Sequence, residues 1–138
     1  MRETRIHPET GEKLTRGVRS FAVRYEGKTR TVDLPGWYPA KKGGAGLHEG
    51  NDMDAVDRAL ADLKAEVYGV LKPAEVRAVR QRLKLSQRKA GEVLGGGPRS
   101  FQKYESGEVL VSRAMTQLLR LLDRDPRRLR ELLDSKAA

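Results

Sequence analysis

The sequence predicts an α+β N-terminal domain over residues 1–70, followed by an all-α domain of about five helices over residues 71–138. Three observations predict this order. Apolar residues near the N-terminus alternate with polar ones on either side of a glycine turn. Apolar residues then recur every three or four positions before residue 70, and the same helical spacing continues to the end of the chain. We therefore expect a small β-sheet with one helix, and then a helical bundle.

A β-hairpin is predicted from the segment VRSFAVRYEGKTRTVDL. Apolar or aromatic residues alternate with basic ones before Glu26-Gly27, and the alternation returns after this turn. Pro35-Gly36 is expected to end the hairpin. Residues 1–17 are polar and contain proline and glycine, so we expect a loop or a frayed terminus there.

Trp37-Tyr38 has two interpretations. The pair can begin a third short strand, in the core of the sheet or at an interface with a partner, and Leu47 can close the sheet. Alternatively, the two rings can form a stacking platform for nucleic-acid bases. We favour the first interpretation.

One helix is predicted before residue 70, with Asn51 or Asp52 as its N-cap, because a short polar side chain can accept a bond from a free backbone N–H. Its apolar residues are three or four positions apart and share one stripe. They are Met53, Val56, Leu60, Leu63, Val67 and Val70. This stripe is expected to pack on the hairpin, since a sheet this small needs a cover to be stable. A seam with a partner or with a second copy is the alternative.

The chain from residue 71 onward has a helical pattern throughout. Pro73 suits the first turn of a helix, Ser86 and Ser112 suit N-caps, and Pro98 and Pro126 are expected to open further helices. The residues expected to face inward are Val76, Val79, Leu83, Ala90, Val93, Leu94, Phe101, Tyr104, Met115, Leu118, Leu119, Leu122, Leu129, Leu132 and Leu133.

Composition excludes several classes of protein. The chain has no cysteine and only two histidines, which excludes disulfides and argues against an imidazole or thiolate metal site. No run of 18 apolar residues exists and the N-terminus lacks an apolar stretch, so we expect no membrane span and no export signal. We therefore expect a cytoplasmic protein without a cofactor, and no set of residues suggests that it is an enzyme.

The charge is concentrated in the C-terminal half. Residues 1–70 contain 12 Lys/Arg against 11 Asp/Glu, a net charge of +1, whereas residues 71–138 contain 16 against 8, a net charge of +8. A basic half beside a nearly neutral half is typical of a protein that binds a polyanion. A basic surface that serves only solubility is the alternative.

The glycine run Gly95–Gly97 lies between the two helices of the segment LSQRKAGEVLGGGPRSFQKYESG. A nucleotide-binding loop would need a lysine followed by serine or threonine after the glycines, and a buried strand before them. Neither is present. The run therefore indicates a tight corner between two helices, as in a helix-turn-helix domain, whose second helix enters the major groove of DNA.

Arg99 and Lys103 are the predicted base-reading residues. They are four positions apart on the helix after the corner, away from the inward-facing Phe101 and Tyr104, so they share one face. Both can donate to guanine O6 and N7, and arginine can do so with two hydrogen bonds.

Five further residues are predicted to bind DNA through phosphates or the groove. The N-terminus of a helix presents free N–H groups that suit a phosphate, and the side chains there are short or basic. The five residues are Ser86, Gln87, Arg88, Ser100 and Gln102. Ser86 can both cap its helix and bind a phosphate.

Four short motifs follow one another between Val76 and Leu129: L-S-Q-x-x-A, G-G-G, F-x-x-Y-E-x-G and T-x-L-L-R-x-L-D. This part of the chain resembles the Xre/Cro type of helix-turn-helix and, more narrowly, the C-terminal domain of the MqsA antitoxins. The resemblance implies a C-terminal domain that dimerises and binds a palindrome in its own promoter. It also implies an N-terminal domain that binds a toxin, an mRNA-cutting ribonuclease.

The chain departs from this family at its zinc site and at its base-reading positions. The family's four zinc cysteines correspond to Glu3, Ile6, Pro39 and Lys42, which cannot replace them as a set, so no zinc is expected. The family has asparagine and arginine at its two base-reading positions, and this chain has Arg99 and Lys103 there. Asparagine suits adenine whereas arginine and lysine suit guanine, so the operator sequence is expected to differ.

The expected function is that of a type II antitoxin. Residues 1–70 would neutralise a ribonuclease toxin, and residues 71–138 would form a homodimer that represses the operon. The alternative is a stand-alone repressor of the Xre family without a toxin partner. An N-terminal ribonuclease is the rival from another class, and the lack of a His/Glu/Arg catalytic set argues against it.

Overall fold

The computed structural model describes residues 3–137, with side chains up to residue 134. Within these residues, a three-stranded antiparallel sheet comes first and six helices follow. The strands are β1 (Thr4–Ile6), β2 (Lys13–Tyr25) and β3 (Lys28–Pro39). The helices are α1 (Asp54–Tyr68), α2 (Pro73–Arg82), α3 (Gln87–Leu94), α4 (Ser100–Ser106), α5 (Arg113–Arg124) and α6 (Leu129–Ala137), with a 3₁₀ turn at Pro126–Arg128. This order confirms the predicted α+β part and the helical part that follows it.

The chain forms two compact units, one that ends at Leu60 and one that begins at Ala61. The first unit contains the sheet, and the second contains helices α2 to α6. Helix α1 contributes residues to both units, because it begins at Asp54 and ends at Tyr68.

The hairpin of β2 and β3 confirms the predicted turn. Tyr25 pairs with Lys28, and the two residues between them, Glu26 and Gly27, both have positive φ, of 47° and 79°. A two-residue turn with positive φ at both positions matches the twist of the flanking strands. The strands are longer than predicted: Pro35-Gly36 does not end the hairpin, because the ladder continues to Pro39.

The expectation of a loop is wrong for residues 4–6 and 13–17, which form strands, whereas residues 1 and 2 lie outside the described residues. Strand β1 pairs with the first residues of β2, and Leu14 is fully buried between polar neighbours. The ring of His7 organises the connection, since its Nδ1 accepts the N–H groups of Glu9 and Thr10 at 3.1 and 3.3 Å. Hydrogen bonds to the His7 side chain, rather than apolar residues, thus hold the connection between β1 and β2. The sequence therefore has no apolar pattern here that would indicate strand β1.

Trp37 and Tyr38 lie inside β3 and are both buried, so they do not begin a new strand and do not form an open stacking platform. The third strand of the sheet is β1 instead. Leu47 forms an isolated bridge with Trp37, as predicted for the residue that closes the sheet. The Tyr38 hydroxyl donates to the Leu34 carbonyl at 2.6 Å, and Arg19 lies 4.5 Å from its ring centre.

Trp37 and four side chains around it form a cluster, which we call the tryptophan clasp. The guanidinium carbons of Arg5 and Arg16 lie 5.2 and 5.6 Å from the ring centre, and the indole N–H donates to Glu49 at 3.0 Å. Arg5 also pairs with Glu49, and Arg16 donates two hydrogen bonds to the buried carboxylate of Asp52. The clasp therefore joins β1, β2 and β3 to the segment that leads into α1.

Asp52 is one of the two predicted N-caps of helix α1, but it does not cap this helix. Its carboxylate accepts the N–H of Glu49 at 3.0 Å and the two bonds from Arg16, and the helix begins two residues later at Asp54. The predicted stripe is only partly buried: Met53 is exposed, whereas Leu63 is fully buried. Val70 belongs to the core of the second unit.

The second unit has a continuous apolar core to which each of its helices contributes. Val76, Phe101 and Leu119 are completely buried. The predicted caps are confirmed, because the hydroxyls of Ser86 and Ser112 accept the N–H groups three residues further on. Two local expectations are wrong. Helix α4 begins at Ser100 rather than at Pro98, and Leu133 is 37% exposed because α6 lies at the edge of the core.

A buried ion pair connects the first three helices of this unit. Arg80 on α2 donates to both carboxylate oxygens of Glu105 on α4, at 2.7 and 2.9 Å, and to the Leu85 carbonyl at 2.9 Å. Gln87 on α3 donates to the same carboxylate at 3.2 Å. The side chain of Glu105 is only 5% exposed and that of Arg80 13%. The Arg80–Glu105 pair thus sets the position of α4 relative to α2 and α3.

Replacing Asp52 by asparagine is predicted to weaken the first unit. Arg16, which donates to the Asp52 carboxylate, holds the pKa of Asp52 well below its usual range. A carboxylate with a lowered pKa stabilises the fold above its unfolded pKa of about 3.9, and this contribution is lost as the pH falls further. We therefore expect Asp52→Asn to unfold at a lower urea concentration at pH 7, and to lose less additional stability than the wild type between pH 5 and pH 3.

Urea unfolding of this variant is followed by the fluorescence of Trp37, the one tryptophan of the chain, which lies in the clasp. Asp33→Asn is the matched control, because Asp33 is an exposed carboxylate of β3. Equal urea midpoints for the two variants at pH 7 would contradict the role of the clasp.

Replacing Glu105 by alanine is predicted to destabilise the second unit by about 3–5 kcal/mol, because it leaves the buried guanidinium of Arg80 without its carboxylate. The control is Asp123→Ala, which breaks the pair between Asp123 and Arg82. The Arg82 side chain is 56% exposed, and exposed pairs contribute about 0–1 kcal/mol. Thermal unfolding followed by circular dichroism at the helix band measures both. A Glu105→Ala variant as stable as Asp123→Ala would show that the pair is dispensable.

Candidate nucleic-acid interface

The corner between α3 and α4 depends on three glycines with positive φ. Gly95, Gly96 and Gly97 have φ of 110°, 94° and 96°, a region that other residues rarely adopt. Gly91 on α3 is needed for a different reason, because a Cβ there would lie 1.8 Å from the carbonyl oxygen of Gly97. The corner therefore packs directly against the backbone of α3.

Ser100 ties the start of α4 to this corner. Its hydroxyl donates to the Gly97 carbonyl at 2.9 Å, and its backbone N–H bonds the same oxygen at 3.2 Å. The side chain is therefore used within the protein, which the sequence could not indicate. Sequence reasoning proposed Ser100 as a DNA contact, and the geometry gives it an additional role in fixing the angle at which α4 begins.

Arg99 and Lys103 both lie on the exposed side of α4. Arg99 is the residue that precedes the first helical residue, and Lys103 follows one turn later, with its N–H bonded to the Arg99 carbonyl at 3.3 Å. Phe101 is completely buried and its ring meets that of Tyr104 edge-on at 5.3 Å, which fixes the inner face. Among the described residues, neither Arg99 nor Lys103 has an ion-pair partner. Both cations are thus available to a ligand.

The predicted phosphate contacts divide into exposed and inward-facing side chains. Ser86 and Gln102 are exposed, and Arg88 is exposed but pairs with Glu92 one turn along α3, at 3.2 Å. Gln87 is half-buried and donates to Glu105. The structure thus places all seven predicted DNA-binding residues on α3, on α4 or beside them, but uses Gln87 and Ser100 to hold these helices together.

An open groove of about 390 Å³ runs along the exposed side of the corner and α4. Arg99 and Lys103 line it, together with Gly96, Pro98 and two residues that sequence reasoning did not assign to the surface, Tyr104 and Val109. Val109 follows α4 and is 43% exposed. Its position could not be inferred from helical spacing, since it lies in the connection to α5.

The four positions that correspond to the family's zinc cysteines do not fit zinc. Glu3 is the one residue of the set with a ligand atom that zinc accepts, and Ile6, Pro39 and Lys42 offer none of the nitrogen, sulfur or carboxylate ligands that zinc prefers. Across residues 3–137, no group of three His, Cys, Asp or Glu side chains is placed to hold a metal ion. In this region of the chain the tryptophan clasp joins the strands.

Both histidines have structural contacts. His7 accepts two backbone N–H groups in the β1–β2 connection, and the His48 ring nitrogen lies 2.8 Å from the Pro35 carbonyl oxygen. In the part of the chain that the structure describes, no helix is long and apolar enough to cross a membrane.

Comparison with known proteins identifies the family. The profile of the family described as "Antitoxin component of bacterial toxin-antitoxin system, MqsA" matches residues 8–133. The chain is also similar to "Antitoxin MqsA" of Escherichia coli (strain K12), with 38% identity over 80 residues. This match covers 58% of the chain and 59% of the length of the relative. Because the family profile spans most of the sequence, the chain belongs to the MqsA antitoxin family.

Proposed function

We propose that this protein is the antitoxin of a type II toxin–antitoxin system, and that it also represses its own operon by binding a promoter palindrome. The observation that carries the DNA-binding part is the exposed pair Arg99 and Lys103, one turn apart at the start of the helix that follows the glycine corner. The family description supports the antitoxin part. The protein then acts by binding rather than as an enzyme.

The proposed DNA complex uses α4 as the helix in the major groove. The first residues of such a helix face the base edges, and Arg99 and Lys103 are the residues at that end of α4. Arginine and lysine favour guanine O6 and N7. Ser86 and Arg88, at the start of α3, would contact phosphates and position the helix without reading sequence. Residues 71–138 would therefore carry both DNA binding and dimerisation.

A homodimer is proposed because one reading helix contacts only a half-site. Two copies related by a two-fold axis present two such helices to the two halves of a palindrome. Arginine and lysine at the two positions support half-sites that contain guanine. The operator would therefore differ from that of family members whose asparagine favours adenine.

Residues 1–70 would bind the toxin, which we propose to be a ribonuclease. The sheet of this region exposes apolar residues that a monomer does not bury, among them Val18 and Phe21, which are 60% and 43% exposed. Exposed apolar side chains of this kind are suited to a protein partner. A stand-alone repressor of the Xre family, with no toxin, is the second candidate.

Replacing Arg99 by alanine is predicted to weaken specific DNA binding by about 1–3 kcal/mol and to relax the preference at one base pair. The experiment measures affinity for the natural promoter, and for duplexes with each base pair changed, by fluorescence anisotropy at fixed salt. Arg88→Ala is the control, because loss of a phosphate contact weakens all duplexes similarly and lowers the salt dependence. If Arg99→Ala reduced binding equally on every duplex, Arg99 would not read a base.

Co-expression tests the antitoxin part. The product of the adjacent gene is expressed alone and together with this chain, and we expect the chain to restore growth. Arg99→Ala should restore growth equally well, because neutralisation is assigned to residues 1–70 and not to α4. Failure of the wild type to restore growth, with DNA binding intact, would favour the stand-alone repressor.

A further inference from the structure

The groove beside α4 contains an apolar surface that the proposed guanine contacts leave unused. Val109 and Tyr104 line it together with the cationic residues Arg99 and Lys103. Gly96 keeps this surface accessible, because a Cβ there would lie 3.3 Å from the Tyr104 hydroxyl and 2.9 Å from Ser100. A mostly apolar surface thus lies directly beside two unpaired cations.

The position of Val109 is fixed relative to the reading helix. Its backbone N–H donates to the carbonyl of Lys103 at 3.2 Å, and the Ser106 hydroxyl donates to the same carbonyl at 3.1 Å. Val109 is 43% exposed to solvent in the free protein. An isopropyl group is therefore held within reach of a ligand that Lys103 contacts.

We propose that Val109, together with Tyr104, binds the C5-methyl group of a thymine next to the guanines that Arg99 and Lys103 contact. The cations at the rim favour a polyanion, and thymine presents the one methyl group in the major groove of duplex DNA. Burying a methyl group against apolar side chains is worth about fourfold in affinity. This proposal rests on the proposed DNA-binding function and adds a specificity-determining residue to it.

Substitution of uracil for thymine tests the proposal, because it removes only the methyl group. The full-length chain first selects a duplex from a randomised library, and each thymine of that duplex is then replaced by uracil in turn. We expect one position in each half-site at which uracil weakens wild-type binding about fourfold. In Val109→Ala, uracil at that position should weaken binding less than twofold.

Val32→Ala is the matched control, because it makes the same change at a half-buried valine of strand β3 to which no role in binding is assigned. It should retain the wild-type response to uracil, and thermal unfolding should show that both variants are folded. The proposal is overturned if no thymine responds to uracil, or if Val109→Ala keeps the fourfold response. If the chain selects no sequence at all, the proposed DNA-binding function fails as well, so the two failures are distinguishable.

Discussion

The buried pair of Arg80 and Glu105 is the interaction on which the arrangement of helix α4 depends. Helix α4 has only seven residues, too few to be stable without tertiary contacts. It has two anchors, the Phe101 ring in the core and the Glu105 carboxylate, which accepts bonds from α2 and α3. Because both anchors point inward, Arg99 and Lys103 are left on the outer side. The polar contact thus orients a helix that apolar packing alone would fix less specifically.

The glycine corner shows how far sequence reasoning extends in this half of the molecule. The helical spacing and the missing lysine were sufficient to favour a corner over a phosphate-binding loop, and Ser86 and Ser112 were correctly predicted as caps. The contact between Gly91 and the Gly97 carbonyl could not be predicted. It depends on a close approach of two backbones, and a glycine within a helical pattern does not reveal what approaches it. The inward roles of Gln87 and Ser100 could not be predicted either, because each depends on a hydrogen bond that the folded arrangement of α3, the corner and α4 creates.

The N-terminal unit was less predictable because its core is not purely apolar. Strands are recognised by alternating apolar residues, but here Arg16 and Arg19 lie over the rings of Trp37 and Tyr38. A basic residue at such a position looks like a solvent-facing one in the sequence. The extension of β2 to Lys13 and the strand β1 were therefore missed, whereas the hairpin turn, which depends on local backbone chemistry, was predicted correctly.

Arginine has two different uses in this chain, and the difference determines which guanidinium groups are free for the DNA binding proposed above. Arg80 is buried with its carboxylate, and separating them would cost about 3–5 kcal/mol, so this cation is not available to a phosphate. The pair of Arg88 and Glu92 is exposed and worth only about 0.3–0.5 kcal/mol, so Arg88 can exchange its partner for a phosphate. Among the described residues, Arg99 and Lys103 have no partner to release. The net charge of +9 is therefore an incomplete guide to the proposed interface, because carboxylates within the fold already neutralise part of it, whereas Arg99 and Lys103 beside the corner are not neutralised in this way.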